Sequence, residues 1–267
     1  MREISLEESK KIQVDLLSAF AEYCDKKGLR YYLAYGTLLG AIRHKGFIPW
    51  DDDTDVHMPR EDYNKLMASF NEENEDSPYF LVRPETKLAQ QPHAKIIDTR
   101  TEKKEFFQRK GTLMGVDIDV FPLDGMPAAD AEYKKWFNKL MKVYRSLIYA
   151  SRGTMKGKPY ANVKVIIGRM LHPSRTRLLK KAAKLHALYP YDQCEYIGGL
   201  ECTFEHLGTR NRKACYEDYV MVEFEGKQFK APKEYHEVLT NYYGDYMTPP
   251  PKEKQATHHL NNCYYKD

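Results

Sequence analysis

Apolar side chains recur at helical spacing near the start of the chain, at Ile12, Leu16, Phe20 and Tyr23. This spacing predicts a helix over residues 5–27. Ser5 and Glu8 have the spacing of a capping box at the start of that helix, and Gly28 is a typical stop at its end.

Shorter apolar and polar segments then alternate up to residue 98. They predict strands at residues 30–34, 54–58, 79–82 and 93–98, and helices at residues 38–43 and 60–70. Strands interleaved with helices are typical of an α/β (α+β) domain with a mixed sheet.

Acidic and apolar residues alternate strictly from Val116 to Pro122. A period of two places Asp117 and Asp119 on one face of a strand and the apolar residues on the other. Pro122 is expected to end this strand, because proline cannot donate a ladder hydrogen bond. Two carboxylates on one buried face need a partner, so this strand is expected to form a wall of a charged site.

Residues 129–188 have a helical pattern, with breaks near residues 153–159 and 172–173. No acidic residue occurs from 133 to 191, whereas fifteen Lys or Arg lie between residues 134 and 184. The rest of the chain therefore carries 27 basic and 38 acidic residues. The basic section suits an anionic membrane surface or a pyrophosphate-bearing lipid, or forms a plain helical cover. Nucleic-acid binding is less favoured, because no RNA-binding motif accompanies the charge.

The last part of the chain predicts a hairpin and a helix. Strands are expected at residues 220–224 and 228–230 around a turn at 225–227, followed by a helix over residues 233–243 that ends at Gly244.

Composition limits the class of protein. The chain has 267 residues, a highly charged start unlike a signal peptide, and no run of eighteen apolar residues, which predicts a soluble, cytoplasmic protein. Five cysteines at scattered spacings, without C-x-x-C, indicate reduced thiols. Cys202, His206 and Cys215 could form part of a zinc site, but no fourth ligand is evident.

The chemistry concentrates in the segment from Gly36 to Asp55. Four aspartates fall within residues 51–55, and such a cluster repels itself unless a cation neutralises it. Asp53 and Asp55 would share one face of a strand, while Asp52 points to the other and is the least expected ligand. Gly36 and Thr37 lie where a strand is expected to turn into a helix, and backbone N–H groups there can receive a phosphate.

Two simpler interpretations compete with a metal site. A solvated acidic loop is common, but it has no need of the adjacent apolar residues 47–50, whereas a metal site benefits from a dry wall. A calcium-binding loop requires Gly at the sixth position and Glu at the twelfth, where this chain has Val56 and Asp62.

The segment from Gly36 to Asp55 closely resembles the motif of the LicD family, and the end of the chain, residues 242–259, is also similar to that family. Bacterial members transfer phosphocholine from a CDP-linked donor to surface glycans. Fukutin-related protein, a ribitol-phosphate transferase, is similar more distantly. The resemblance implies a nucleotidyltransferase-like mixed sheet flanked by helices, with a basic helical insert. The implied divisions are a catalytic core at 1–128, the insert at 129–192, and a C-terminal hairpin and helix at 193–267.

The resemblance also implies roles for particular residues. Metal ligands for Mg²⁺ or Mn²⁺ are expected at Asp53, Asp55 and Asp119, with Asp51 as a further ligand or a supporting group. The same three aspartates, Asp53, Asp55 and Asp119, are the expected catalytic residues. Binding of the donor phosphates is expected at Gly36, Thr37, Arg43, His44 and Lys95. Asp119 is preferred to Asp117 by alignment on the Phe-Pro pair that follows it.

The expected reaction is transfer of a phosphocholine-like group to a sugar hydroxyl, with release of CMP. Its partners would be a CDP-linked donor and a glycan or lipid-linked glycan acceptor in teichoic acid, lipopolysaccharide or capsule synthesis. Peripheral contact with the inner face of the membrane is expected through residues 134–184, and no nucleic acid partner is expected. Two alternatives remain open: a nucleotidyltransferase that moves NMP from an NTP to a small molecule, and a non-catalytic glycan- or membrane-binding protein.

Overall fold

A computed structural model describes residues 1–105, 107–154, 158–199, 208–255 and 262–266. The zinc hypothesis involving Cys202 and His206 therefore lies outside the described residues, as does the pair His258 and His259 of the C-terminal similarity. The four described cysteines form no disulfide.

The helices occupy the predicted segments, with some different ends. They are α1 (Leu6–Lys27), α2 (Tyr35–His44), α3 (Arg60–Glu73), α4 (Asp130–Ser151), α5 (Pro159–Leu171), α6 (Arg175–His186) and α7 (Tyr235–Tyr243). The capping box on α1 is confirmed, because Ser5 and Glu8 exchange both side-chain to backbone hydrogen bonds. Gly28 ends this helix with a left-handed φ of 64°, a conformation that glycine adopts without strain.

In the part of the chain that the structure describes, the strands form three sheets. In chain order they are β1 (Arg2–Glu3), β2 (Tyr32–Leu33), β3 (Asp55–Pro59), β4 (Tyr79–Val82), β5 (Ala94–Asp98), β6 (Thr101–Lys103), β7 (Asp117–Met126), β8 (Tyr196–Gly199), β9 (Asn211–Arg212), β10 (Tyr219–Phe224), β11 (Lys227–Pro232) and β12 (Cys263–Tyr265). The central sheet has the order β2-β3-β7-β5-β4, and β8 extends it by pairing with β7 and β9. Strands β3 and β7 are parallel, whereas the other neighbours are antiparallel. The predicted α/β architecture with a mixed sheet is confirmed.

The predicted end of the third acidic strand at Pro122 is wrong, because β7 continues to Met126. Pro122 sits where one antiparallel partner of β7 stops and another begins: β5 pairs up to Val120, and β8 pairs from Leu123 onward. A missing N–H is tolerated at such an interruption of the ladder.

The predicted first strand is shorter than expected, and the helix after it begins earlier. Pairing with β3 involves only Tyr32 and Leu33, and α2 begins at Tyr35 instead of residue 38. Tyr35 has a positive φ of 42°, which turns the chain sharply from strand to helix. The early start places Gly36 and Thr37 in the first turn of α2, beside the carboxyl-rich loop.

One core joins the two ends of the chain. Phe20 of α1, Val56 of β3, Ile118 of β7 and Phe229 of β11 all belong to a single cluster of buried side chains. The basic section has a second cluster, in which Trp136 and other residues of α4 pack against α6. No described helix is long and apolar enough to cross a membrane.

A charged link connects the basic section to the sheet. The carboxylate of Asp124 on β7 lies 3.0 Å from Nδ1 of His186 on α6 and accepts two hydrogen bonds from Arg60 of α3, at 2.5 and 2.7 Å. Burial would raise the pKa of Asp124, but the charges of His186 and Arg60 outweigh it and lower that pKa. The insert is therefore attached to the centre of the sheet by an ionised, buried contact.

Candidate active site

Two carboxylates meet across the parallel strands of the central sheet. Asp55 on β3 and Asp119 on β7 are direct register partners, and Lys95 on β5 is the register partner of Asp119 on its other side. Side chains at paired positions of neighbouring strands project from the same face of a sheet. The three charged groups thus form one row across adjacent strands, as the period-two pattern predicted for the aspartates.

The acidic loop before β3 is held by the first helix. Gln13 of α1 donates its side-chain N–H to the backbone oxygen of Asp52 at 2.8 Å and accepts from the hydroxyl of Thr54 at 2.8 Å. On the side of α2, the hydroxyl oxygen of Thr37 accepts the backbone N–H of Asp55 at 2.8 Å. These bonds set where the loop ends and β3 begins, so Thr37 supports the position of Asp55.

Gly36 allows a close approach between α2 and the acidic loop. A Cβ atom at this position would stand 2.3 Å from Oδ2 of Asp51, which is impossible without a shift of the carboxylate. The absence of a side chain therefore lets Asp51 lie against the first turn of α2. The predicted phosphate-binding turn and the predicted metal-binding loop are in contact.

The carboxylates are crowded and buried. Burial, the charge of Asp53, a side-chain hydrogen bond to Asp53 and the charge of Asp52 together raise the pKa of Asp51 to about 8. Burial also raises the pKa of Asp55 well above its ordinary value, with further contributions from the charges of Asp53, Asp119 and Asp51. A cation placed among these groups would relieve the repulsion that holds their protons.

Asp119 has the opposite electrostatic character. Nζ of Lys95 lies 2.6 Å from Oδ1 of Asp119, and Nε2 of His93 lies 3.1 Å from the same oxygen. Burial would raise the pKa of Asp119, but Lys95 and His93 lower it well below the usual range. Lys95 also hydrogen-bonds Asp117, whose other oxygen lies 3.3 Å from Nζ of Lys103. Asp119 is therefore held ionised at the centre of a charge network.

Arg43 and His44 lie at the other end of α2. Arg43 lies seven positions after Gly36, which corresponds to about 10 Å along a helix. Nη1 of Arg43 donates a hydrogen bond to the backbone oxygen of Tyr246 at 2.9 Å. Nε of Arg43 donates a second one to Nε2 of His44, also at 2.9 Å. Burial lowers the pKa of Arg43. Arg43 and His44 thus lie about 10 Å along α2 from the turn that contacts the acidic loop.

Three residues of the site were not predicted. His93 precedes Lys95 by two positions and His57 follows Asp55 by two, so the same period of two could have placed both on the charged face. The buried ring of His57 packs edge-on against Tyr35 of α2. Tyr243 comes from α7, and no local pattern near the acidic loop points to it; burial and the charge of Asp55 raise its pKa well above the ordinary value.

The acidic loop and the row of charges offer carboxylate ligands of the kind that a divalent cation needs. Hard carboxylate oxygens in a buried cluster are the ligands that Mg²⁺ and Mn²⁺ prefer, and a divalent cation would offset the repulsion that raises the pKa of Asp51 and Asp55. In the described part of the chain, no three His, Cys, Asp or Glu side chains are arranged so that they could already coordinate one metal ion. The chemistry of the donors fits the ion, and the carboxylates would have to turn toward it.

The chain is similar in sequence to known proteins. Residues 28–123, which contain the acidic loop and the row of charges, match the family model described as LicD/FKTN/FKRP, nucleotidyltransferase domain. The sheet and its carboxylates thus define a nucleotidyltransferase-like domain. The lipopolysaccharide cholinephosphotransferase LicD of Haemophilus influenzae is 35% identical over 271 residues, covering 99% of each chain. The chain belongs to the LicD family, and this membership indicates a transferase.

Two further relatives match over short segments. An uncharacterized protein of Rickettsia typhi is 39% identical over 54 residues, which is 19% of this chain and 18% of that protein. An uncharacterized protein of Rickettsia prowazekii is 49% identical over 41 residues, which is 15% of each chain.

Proposed function

We propose that this protein transfers a phosphocholine-like, or related phospho-alcohol, group from a CDP-linked donor to a sugar hydroxyl of a cell-surface glycan precursor. The single observation that carries the proposal is the row formed by Asp55, Asp119 and Lys95 in a chain that matches a cholinephosphotransferase over its whole length. The related protein acts on lipopolysaccharide according to its name, and a glycan of that kind is the acceptor proposed here.

In the proposed reaction, the acceptor hydroxyl oxygen forms a bond to the phosphorus atom next to the alcohol, and the bond from that phosphorus to the CMP oxygen breaks. The hydroxyl proton passes to a carboxylate, and CMP leaves with the electron pair of the broken bond. Asp119 is the proposed ligand, because Lys95 and His93 keep it ionised; alternatively it accepts the proton after Lys95 has moved to a phosphate oxygen, since that cation lowers its pKa. Lys95 also supplies positive charge beside the phosphates, once its ammonium group leaves one carboxylate and hydrogen-bonds a phosphate oxygen instead.

A divalent cation, Mg²⁺ or Mn²⁺, would be held by Asp53, Asp55 and Asp119, with Asp51 as a fourth carboxylate. When bound, such an ion neutralises charge on the phosphate oxygens and on the departing CMP. The first turn of α2 contributes backbone N–H groups at Gly36 and Thr37, which suit an anion at a helix N-terminus.

The test is a thermal-shift panel of CDP-choline, CDP-glycerol, CDP-ribitol, CTP and ATP, each with and without Mg²⁺. It compares the wild type with Asp53→Asn and with Asp15→Asn, a control on the exposed side of α1 whose side chain is 68% exposed. A ligand at 100 times its dissociation constant stabilises the fold by about 2.7 kcal/mol, which corresponds to a shift of roughly 5 °C for a chain of this length.

One CDP-linked compound is expected to stabilise the wild type and the control only with Mg²⁺ and to lose this effect in Asp53→Asn. A shift by CTP or ATP alone would instead indicate nucleotidyl transfer, which uses the same carboxylates. A shift that persists without metal and in Asp53→Asn would indicate a binding protein and contradict the proposal.

A further inference from the structure

Helix α5 exposes most of its apolar side chains. Val165 is its one buried residue. Tyr160, Met170 and Leu171 are 88%, 80% and 76% exposed, and Val163, Ile166 and Ile167 are each about half exposed. A contiguous exposed apolar surface of this kind marks a site of interaction in a protein that is otherwise well packed.

The exposed residues share one side of the helix. At 100° per residue, the six side chains fall within an arc of about 140°. The opposite side contains Val165 and Gly168, and Gly168 packs against the ring of Tyr149 on α4, with 3.2 Å between its ideal Cβ position and Cδ1 of that ring. On the helical wheel, Lys164 and Arg169 flank the apolar arc, one at each edge. Helix α5 is thus fixed to the insert by one side and presents an apolar stripe between two cations.

A cationic cleft of about 400 Å³ lies at one edge of α5. It is lined by Lys87, Arg109, Lys110, Gly153, Thr154 and Arg169, so it joins loops of the catalytic core to the helix. Arg109 is held there by the backbone oxygens of Lys87 and Ala89. Burial and the charge of Arg169 lower the pKa of Arg109, and no carboxylate is among the described residues that line the cleft. An anion would relieve this crowding of like charges.

We propose that α5 lies in the headgroup layer of an anionic membrane leaflet, with its apolar stripe inserted and the adjacent cleft holding lipid phosphates. An apolar stripe bordered by cations is the pattern of a helix that lies in the membrane interface. The 59 residues from 133 to 191 contain no acidic residue, so the whole section is attracted to anionic lipid. A second copy of the chain is a poor occupant, because two such sections would repel each other.

This inference is independent of the proposed chemistry and is tested by binding alone. The full-length protein is sedimented with phosphatidylcholine vesicles that contain either no phosphatidylglycerol or about 25 mol% of it. The variants are Ile166→Ser/Ile167→Ser in the stripe and Lys87→Ala/Lys110→Ala in the cleft. Leu188→Ser is the matched control, because Leu188 is 61% exposed but lies outside the stripe. Circular dichroism melting confirms that each variant is folded.

The wild type and Leu188→Ser are expected to bind the anionic vesicles and to be released by high salt. The stripe variant is expected to bind about tenfold more weakly or worse, since two inserted side chains lose their apolar burial. The cleft variant is expected to bind anionic vesicles more weakly than the wild type but to keep a preference for them, because residues 133–191 retain all their cations. Failure of the wild type to bind anionic vesicles, or equal binding by all variants, would overturn the proposal. So would a dimer of the wild type that dissociates in the stripe variant, because α5 would then join two copies.

Discussion

Replacement of Lys95 by Met tests the charge network most sharply. Methionine keeps the length and apolar stem of lysine but removes the cation that lies 2.6 Å from Asp119 and also bonds Asp117. Both carboxylates would remain buried without that partner, and breaking a buried ion pair from one side destabilises a protein by about 3–5 kcal/mol. For a chain of this length, this corresponds to a fall in Tm of roughly 6–10 °C.

The pH dependence of that loss follows from the two pKa shifts. Lys95 and His93 lower the pKa of Asp119, so the stabilisation by this carboxylate is present above its unfolded pKa near 4 and is lost as the pH falls through the folded value. Burial opposes the charge on Lys95, but Asp117 and Asp119 raise its pKa, so its contribution is lost only at strongly alkaline pH. The difference in stability between wild type and Lys95→Met is therefore largest near neutral pH and shrinks below about pH 4.

The assay is urea or thermal unfolding of both proteins across that pH range, with and without Mg²⁺. Lys233→Met is the control, because Lys233 pairs with Asp218 at an exposed surface, where such a pair contributes about 0–1 kcal/mol. Divalent cation is expected to restore part of the lost stability in Lys95→Met, since it can neutralise the same carboxylates. A fall in Tm below about 2 °C, or one that does not depend on pH, would show that Lys95 does not neutralise the two buried carboxylates.

Two further predictions concern the supports of the site and of the insert. Thr37→Val removes the hydroxyl that accepts the Asp55 N–H and is expected to lower the free energy of unfolding in urea by about 1–3 kcal/mol. Thr37→Ser keeps this acceptor and is expected to keep most of the stability. Equal losses in the two variants would contradict this role of the hydroxyl. Asp124→Asn weakens the contact to Arg60 and His186 and is expected to lower Tm by roughly 6–10 °C at neutral pH. The difference in Tm is expected to be smaller below about pH 4, because the pKa of Asp124 is lowered in the folded protein. A difference that does not change with pH would argue against an ionised contact.

Much of the site could be predicted from the sequence because its chemistry is local. The acidic loop, the first turn of α2 and β3 are contiguous, and a period of two placed Asp117 and Asp119 on one face. The register that pairs Asp55 with Asp119 joins residues 64 positions apart, and it depends on the strand order, which no local pattern indicates. Tyr243 comes from the C-terminal helix, so no pattern near the acidic loop could have indicated it.

The fold was predictable to a similar extent and for the same reason. The capping box, Gly28 and the breaks in the basic section are local signals, and the helices end close to them. The predicted strand end at Pro122 was wrong because proline is tolerated where the hydrogen-bond ladder is already interrupted. That interruption depends on where the partner strands β5 and β8 end and begin, which the sequence near Pro122 does not indicate. The apolar pattern of α5 could not show whether that face is core or surface, because periodicity is the same in both cases.

The most direct measurement is the release of CMP from CDP-choline by the purified protein, with Mg²⁺ and lipopolysaccharide that lacks phosphocholine. Wild type, Asp55→Asn and the surface control Asp15→Asn would be compared, with transfer to the glycan followed by mass. We expect CMP and a glycan heavier by one phosphocholine group from the wild type and the control, and a rate of transfer lower by at least about 100-fold for Asp55→Asn. Undiminished transfer by Asp55→Asn would contradict the assignment of the active site to this row of charges.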